Sequence, residues 1–458
     1  MFKQILSLIG FTIIVSNCSR PSSIGEVRAP DIVPPSTKSI SDALVQLRVP
    51  TAFHAVTTKV RIDSLTGDAY GLFQLRNEKR TSSMLMRIDT NGHETEVARS
   101  AQDEVIIDFD AKGGEIVLLR SHLTNILDPL FKMPCRELKI EKISSSVKSV
   151  LFFDPQQANA LIYDKAANPR LVKFPDPQKT VFFVANESVR FAGVTFAGDK
   201  IFLAATGMYG NKVYSLNQDL SIAWGVSLRP RTDFRIFDHY ALAPTLSVDG
   251  DFIFVASEVQ REEIDILRKH LNSPLPLEFE QEQGVITQRV DMLGKISESN
   301  VYLQGGFFIL SSVKSENEFR YILGNIITPD GWRGSLLKID SQGRIKWKTE
   351  LSPFGDSSLN DMIVRDNEVM VGGNCGFRQV STGSIVEYAD ACLVKIDSEG
   401  KLLTKTYFGT ARNDGIVSMD LSEGRMLLGG YTDGPITHTA DNDASAGFQN
   451  AFLGWLKP

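Results

Sequence analysis

The chain has little of what usually announces chemistry. It holds 4 cysteines and 6 histidines in 458 residues. The histidines (His54, His93, His122, His239, His270 and His438) fall at no H-x-x-x-H or H-E-x-x-H spacing, so no zinc pattern arises. No G-x-S-x-G elbow, P-loop or dinucleotide fingerprint is present. Asp441 to Ser445 begins like a calcium loop but lacks the Gly and Glu that complete one, and reads as a polar turn. A basic excess is missing as well: 49 Lys and Arg against 55 Asp and Glu give a net charge of -6, which leaves no electrostatic footprint for nucleic acid. Helical periodicity is nearly absent. The expectation is a protein with no catalytic residues, no metal and no cofactor.

What is present starts at the N terminus. Lys3 followed by the apolar run Ile5 to Val15 reads as an export signal, because the run is too short for a transmembrane helix. Val15-Ser16-Asn17-Cys18 then resembles the lipobox of bacterial lipoproteins, with Asn17 departing from the usual small residue in the looser manner of spirochaete lipoproteins. That resemblance implies cleavage after residue 17, lipidation of Cys18, and attachment to a membrane of the bacterial cell envelope. Residues 18–40 hold Pro21, Pro30, Pro34 and Pro35 and few large apolar side chains, the composition of an extended, solvated tether. Residues 41–458 remain as the folded body, longer than one ordinary core serves.

Internal repetition decides how that body is built. "GSLLKIDSQGRIKWKTE" returns 57 residues later (338 to 395) as "DACLVKIDSEGKLLTKT". The element [Lys/Arg]-[Ile/Val]-Asp-x-x-Gly recurs at Arg87–Gly92, Arg289–Gly294, Lys338–Gly343 and Lys395–Gly400. Asp supplies a turn acceptor and Gly a positive φ, so each reads as a strand ending in a tight hairpin. Interleaved hairpins have second strands centred near Leu72, Leu118, Ile162, Leu203, Phe254, Phe308, Met370 and Leu427. These are eight units about 51 residues apart, close to the period of β-propeller blades. An eight-bladed all-β propeller is expected, with seven blades as the alternative because the unit near Val147 to Lys165 is weak. The chain ends one strand short and begins with one to spare. Pairing of Ala43–Val49 with Ala451–Lys457 would therefore close the ring and remove an unpaired edge.

The units over 360–457, and more weakly 334–350, resemble the bacterial β-propeller repeats called SBBP repeats. The matching residues include Ala391 to Gly400, Phe408-Gly409, Asp414 and Gly429 to Thr432. The resemblance implies an extracytoplasmic propeller and no common catalytic activity.

In such a blade the A–B and C–D turns lie on one face of the disc, and the B–C and D–A connections lie on the other. The long connections expected here are of the second kind: Ser121–Pro134, Glu258–Gly284, Ser312–Gly334, Asn374–Asp390, Asp433–Asn450 and Gly225–Pro244. Variable loops on a rigid scaffold are where binding concentrates, which nominates that face. Its candidate binding residues are Arg229, Arg231, Phe234, Arg235 and His239, with Trp332, Arg333, Phe377 and Arg378. Guanidinium groups beside aromatic rings suit a carboxylate, phosphate or protein partner. One helical insertion is expected over 261–273, with Ile264, Leu267 and Leu271 on one stripe. Cys375 and Cys392 flank one B–C connection on neighbouring strands, so a disulfide and a pair of free thiols are both open; Cys135 lacks an evident partner.

The function expected is a lipid-anchored envelope propeller that binds a protein or ligand without catalysis. The alternatives are an extracytoplasmic hydrolase or lyase, and a subunit of an outer-membrane assembly complex. Only four tryptophans (Trp224, Trp332, Trp347 and Trp455) are present, too few for the repeated docking motif of a quinone-dependent enzyme.

Overall fold

Strands of this chain meander as the repeats require. In the computed structural model, the described residues are 39–48, 54–76, 81–100, 104–122, 138–144, 171–173, 180–183, 189–197, 199–207, 210–217, 222–228, 245–260, 283–304, 307–328, 331–352, 355–376, 389–410, 413–433 and 450–456. They form six four-stranded antiparallel sheets and one of five strands. Sheet 1 runs His54–Ile62, Ala69–Arg76, Thr81–Ile88 and Glu94–Arg99 as strands A to D. Sheets 3, 4, 5 and 6 repeat that order from Val189, Thr245, Phe307 and Ser357. Sheet 2 begins Glu104–Lys112, Glu115–His122 and Leu138–Ser144, and its outer part is Thr180–Phe183 with Leu171–Lys173 added beyond it. Sheet 7 takes strands A to C from Asp414–Ser422, Arg425–Thr432 and Asn450–Leu456, and its fourth strand, Leu44–Arg48, from the other end of the chain. Leu44 pairs with Leu456, and Val45 with Trp455.

The chain is thus an all-β propeller. Strand A of each sheet packs on strand A of the next, and that of sheet 7 packs on that of sheet 1. No hydrogen-bonded ladder joins one sheet to another among the described residues, so apolar side chains hold the neighbours together. Tyr70, Leu72 and Leu85 meet Ile106 and Phe109 between sheets 1 and 2. Tyr321 and Leu336 meet Leu359, Met362 and Val371 between sheets 5 and 6. Phe73 and Val60 meet Leu427, Leu453 and Trp455 between sheets 1 and 7. Middle strands are covered on both sides, which is why "ACLVKI" is apolar with little alternation. Outer strands keep one wet face, as in Ile222–Ser227.

The recurring turn element forms the C–D hairpins. Asp89, Asp291, Asp340 and Asp397 each accept, through one carboxylate oxygen, the backbone N–H groups two and four residues on, at 2.8–3.0 Å. Gly92, Gly294, Gly343 and Gly400 follow with φ between 76° and 86°, where a Cβ would be strained. The basic residue before each Asp reaches across the hairpin: Arg87 to Asp68 at 2.8 Å, Lys395 to Glu368 at 2.7 Å, and Arg289 and Lys338 over the rings of Phe252 and Phe319.

Three expectations need correction. The described strands make seven sheets, not eight, and the unit expected near Ile162 lies outside the described residues. Phe308 belongs to a strand A (Phe307–Glu316), not to a second hairpin strand. Its hairpin partner is Phe319–Thr328, so Ser312–Gly334 is no long connection but a hairpin and a two-residue link. The turn of that hairpin is Asn317-Glu318, where Asn317 takes a φ of 54°. Residues of the expected tether also join the fold at its end. Ile40–Ala43 is a short helix capped by Ser39, whose hydroxyl accepts from Asp42 N–H at 3.1 Å.

Candidate binding face

The direction of each meander separates two faces. The A–B hairpins, and the C–D hairpins of sheets 1, 3, 4, 5 and 6, are short and share one face; among the A–B hairpins, Gly113-Gly114, Gly250-Asp251, Asp366-Asn367 and Glu423-Gly424 are two-residue turns. The strand ends that border the B–C and D–A connections 123–137, 261–282, 376–389, 433–449 and 228–244 lie at the opposite face. Loop length is thus segregated by face with two departures from the expectation: Ser312–Gly334 in sheet 5 holds no long connection, and in sheet 2 residues 145–179, rather than a tight turn, separate Leu138–Ser144 from its neighbour Thr180–Phe183.

At the base of the long-loop face, two carboxyl groups occupy matching places. Asp356 and Asp414 stand where strand A of sheets 6 and 7 begins, each beside the start of strand C in the preceding sheet. Asp356 accepts from Trp332 N–H at 3.1 Å. Asp414 N–H donates to Ala389 O at 2.6 Å, and its carboxyl accepts from Thr410 N–H at 2.6 Å and Thr410 Oγ1 at 3.0 Å. Burial drives the Asp414 carboxyl up to about 7 against these hydrogen bonds, and the nearby Asp390 pushes in the same direction. Burial also raises Asp356, against the N–H of Trp332. Gly409 lets the two acids of sheets 6 and 7 approach: a Cβ there would lie 2.5 Å from Asp414 Oδ2 and 2.9 Å from Asp390 Oδ1.

A disulfide joins Cys375, the last residue of strand B in sheet 6, to Cys392 on strand C, with Cα atoms 5.9 Å apart. Both cysteines are buried within the core between sheets 5 and 6. The loop 376–389 is held at its other contacts by the same two aspartates, since Gly376 N–H donates to Asp356 O at 2.8 Å while Ala389 O receives Asp414 N–H. Its root is fixed by a covalent bond and two sheet neighbours.

The structure brings together only part of the expected binding set. Trp332 and Arg333 open strand C of sheet 5, after the two-residue link rather than on a long loop. Trp332 and Arg333 are both half-buried, and Arg333 faces Glu350 at 3.6 Å. Arg229, Arg231, Phe234, Arg235, His239, Phe377 and Arg378 lie outside the described residues, as do Cys18, Cys135 and the helix expected over 261–273.

A belt of charge on the A strands was not anticipated. A bulge interrupts strand A of sheets 1, 2, 3, 5, 6 and 7, and the residue after it is Lys59, Asp108, Gly193, Ser312, Asp361 or Ser418. The bulge turns that residue toward both neighbours. Asp108 takes Lys59 Nζ of sheet 1 at 2.6 Å and Val194 N–H of sheet 3 at 2.7 Å. Asp361 takes Ser312 Oγ of sheet 5 at 2.9 Å and Met419 N–H of sheet 7 at 2.9 Å. Two residues on, Arg61 joins Asp110 at 2.7 Å and Asp420 at 3.7 Å, the acids raising its pKa despite burial. These carboxylates are spent on three-sheet junctions, which makes the belt structural. No group of three or more His, Cys, Asp or Glu side chains suited to a metal occurs among the described residues.

No family model and no curated protein matches the sequence. Among solved structures, the chain is similar to the polysaccharide lyase Uly1, with 10% identity, a TM-score of 0.49, and 89% of this chain and 91% of that one covered. It is similar to the beta-propeller domain of the Trilobed protease from Pyrococcus furiosus (10% identity, TM-score 0.45, 84% and 91% covered). Acylaminoacyl peptidase from Pyrococcus horikoshii shares 9% identity at a TM-score of 0.41, with 83% of this chain covering 49% of that protein. At these identities the likeness concerns fold and transfers no activity.

Proposed function

We propose that the protein is a lipid-anchored propeller of a bacterial envelope that binds a protein or ligand through its long-loop face, without catalysing a reaction. The observation that carries this reading is the segregation of strand ends: those that border the long B–C and D–A connections lie on one face, while tight hairpins dominate the other. A rigid disc with variable loops on one side is built to present a surface. The Cys375–Cys392 bridge supports an extracytoplasmic site, since such bonds persist where the compartment is oxidising. In this reading the composite sheet 7 closes the ring, and the Cys18 lipid with its tether holds the disc at a membrane.

Affinity capture from native envelopes tests it, comparing the intact lipoprotein with the triple variant Arg229→Glu, Arg231→Glu, Arg235→Glu. A dominant partner lost in the variant is the expected outcome and locates the face. A partner drawn from an outer-membrane assembly machine would make the chain a subunit of it. Equal capture by both proteins removes the arginines from the site, and no partner with either removes the binding reading.

One observation favours a second reading, a hydrolase or lyase: Asp414, held near 7, lies beside the second carboxyl of Asp390. Against it, Asp414 is fully buried, beyond the reach of a substrate. Polysaccharide turnover that disappears in Asp390→Asn and Asp414→Asn, with folding intact, would establish it.

A further inference from the structure

The face opposite the long loops has its own chemistry. Among the described residues, the exposed large apolar side chains are Val45, Leu65, Leu293, Ile345, Leu402 and Leu403. Every one sits at the hairpin face or its rim. Leu65, 69% exposed, is in the A–B turn of sheet 1, and Leu293, 83% exposed, is in the C–D turn of sheet 4. Ile345, Leu402 and Leu403 begin the outer strands of sheets 5 and 6 directly after their C–D turns, and Val45 begins the outer strand of sheet 7. The outer strands of sheets 5 and 6 differ in cover. Trp347 and Thr349 of sheet 5 lean on the C–D turn of sheet 6, donating to Ser398 O and Gly400 O at 2.7 Å each. Sheet 7 has no C–D turn, because its third and fourth strands come from opposite chain ends. Leu402 to Thr406 consequently stay exposed.

The N-terminal segment leaves from the same place. Ser39 and the helix Ile40–Ala43 lead into Leu44, so the chain enters sheet 7 at the hairpin face, with Ile40 buried between sheets 6 and 7. The stretch from Cys18 to Ser39 is long enough to span at most about 70 Å. A lipid at Cys18 would therefore keep this face closest to the bilayer. The loop face is reached only by a tether stretched round the disc.

We infer that the hairpin face is the membrane-apposed side of the disc, touching a lipid surface through Leu65, Leu293, Ile345, Leu402 and Leu403 and leaving the long-loop face turned outward. This rests on the lipoprotein reading of Cys18. The occupant is a neutral, zwitterionic lipid surface rather than an anionic one, because Asp89, Glu94, Glu115, Asp251 and Glu318 populate the same turns and would be repelled. Single exposed leucines are ordinary on a protein surface. Their confinement to the face from which the tether leaves is what points to lipid.

Hydrogen–deuterium exchange on phosphatidylcholine vesicles tests the orientation. The chain beginning at Cys18 is anchored by coupling Cys18 to a maleimide lipid in a Cys135→Ser background, and compared with the same chain free in solution. Anchoring should slow exchange at residues 64–67, 292–295, 342–346 and 399–404 several-fold and leave 331–334 and 410 unchanged. The triple variant Leu65→Ser, Leu293→Ser, Leu403→Ser should lose most of that protection. Protection on the loop face, or no protection on either, overturns the proposal. The mass of the N-terminal peptide from native envelopes reports separately whether Cys18 is acylated, so failure of the lipid reading is distinguishable from failure of the orientation.

Discussion

Asp414 holds a proton that an ordinary aspartate would have released. Its folded pKa of about 7 lies above the unfolded value of 3.8, so the folded state favours the protonated acid. As pH rises from about 4 toward 7 the unfolded chain loses that proton first, and stability falls, by about 4 kcal/mol in the limit. Below pH 4 the contribution is fully present, and above pH 7 it is gone. Asp356 and Asp108, also raised by burial, act in the same sense. Asp414→Asn should keep the acceptor that Thr410 uses while removing the ionisation, so melting temperature should decline less between pH 5 and pH 8 than in the parent. An unchanged slope would mean that Asp414 is ionised in the fold. The sequence marked this residue only through its place in the Phe-Gly…Asp cadence. Its environment depends on Asp390 and Thr432, on two other strands, and burial of that kind is not written in local spacing. The same holds for Asp108 and Asp361, whose partners lie 49 to 86 residues away.

At the scale of the strand and turn, local rules did most of the specifying. Asp-x-x-Gly marks all four of its hairpins, because one carboxylate and one positive φ suffice to make that turn. The hairpin at Asn317 escaped notice for the converse reason. A left-handed asparagine inside the charged run "KSENEFR" leaves no glycine to read. The disulfide stood between the two cases: strand order put Cys375 and Cys392 on neighbours, and only the register set them within bonding distance. Closing a loop of this size is worth about 3 kcal/mol in the chain-entropy picture. Replacing both cysteines by alanine should lower the unfolding free energy by about that much, read as a lower urea midpoint, and increase exchange of the amides at Gly376 and Ala389. A midpoint unchanged in the variant would show that Asp356 and Asp414 fix the root of this loop without help.

At the scale of the whole molecule, the first and last strands of the fold depend on each other. Among the described strands Leu44–Arg48 pairs with Asn450–Leu456 alone, and that strand also carries the seam with sheet 1. There Thr57 Oγ1 donates to Phe452 O at 2.7 Å, and Leu453 is packed against Val60 and Phe73. Ser418 and Asp420 add bonds to Val60 and Ile62 N–H across the same seam, at 3.2 and 2.8 Å. Removing residues 451–458 would thus expose the edge of Arg425–Thr432, strand the N-terminal segment, and open the core shared by sheets 1 and 7 in one step. A milder change at the same place is Leu453→Ala, which should cost about 2–5 kcal/mol as a buried leucine truncation. The truncated chain should melt far below the parent or fail to accumulate in soluble form, with Leu453→Ala between them. If the truncation melts with the parent, side-chain packing between the other sheets holds the disc by itself, and the composite sheet serves only to bring the tether to the hairpin face.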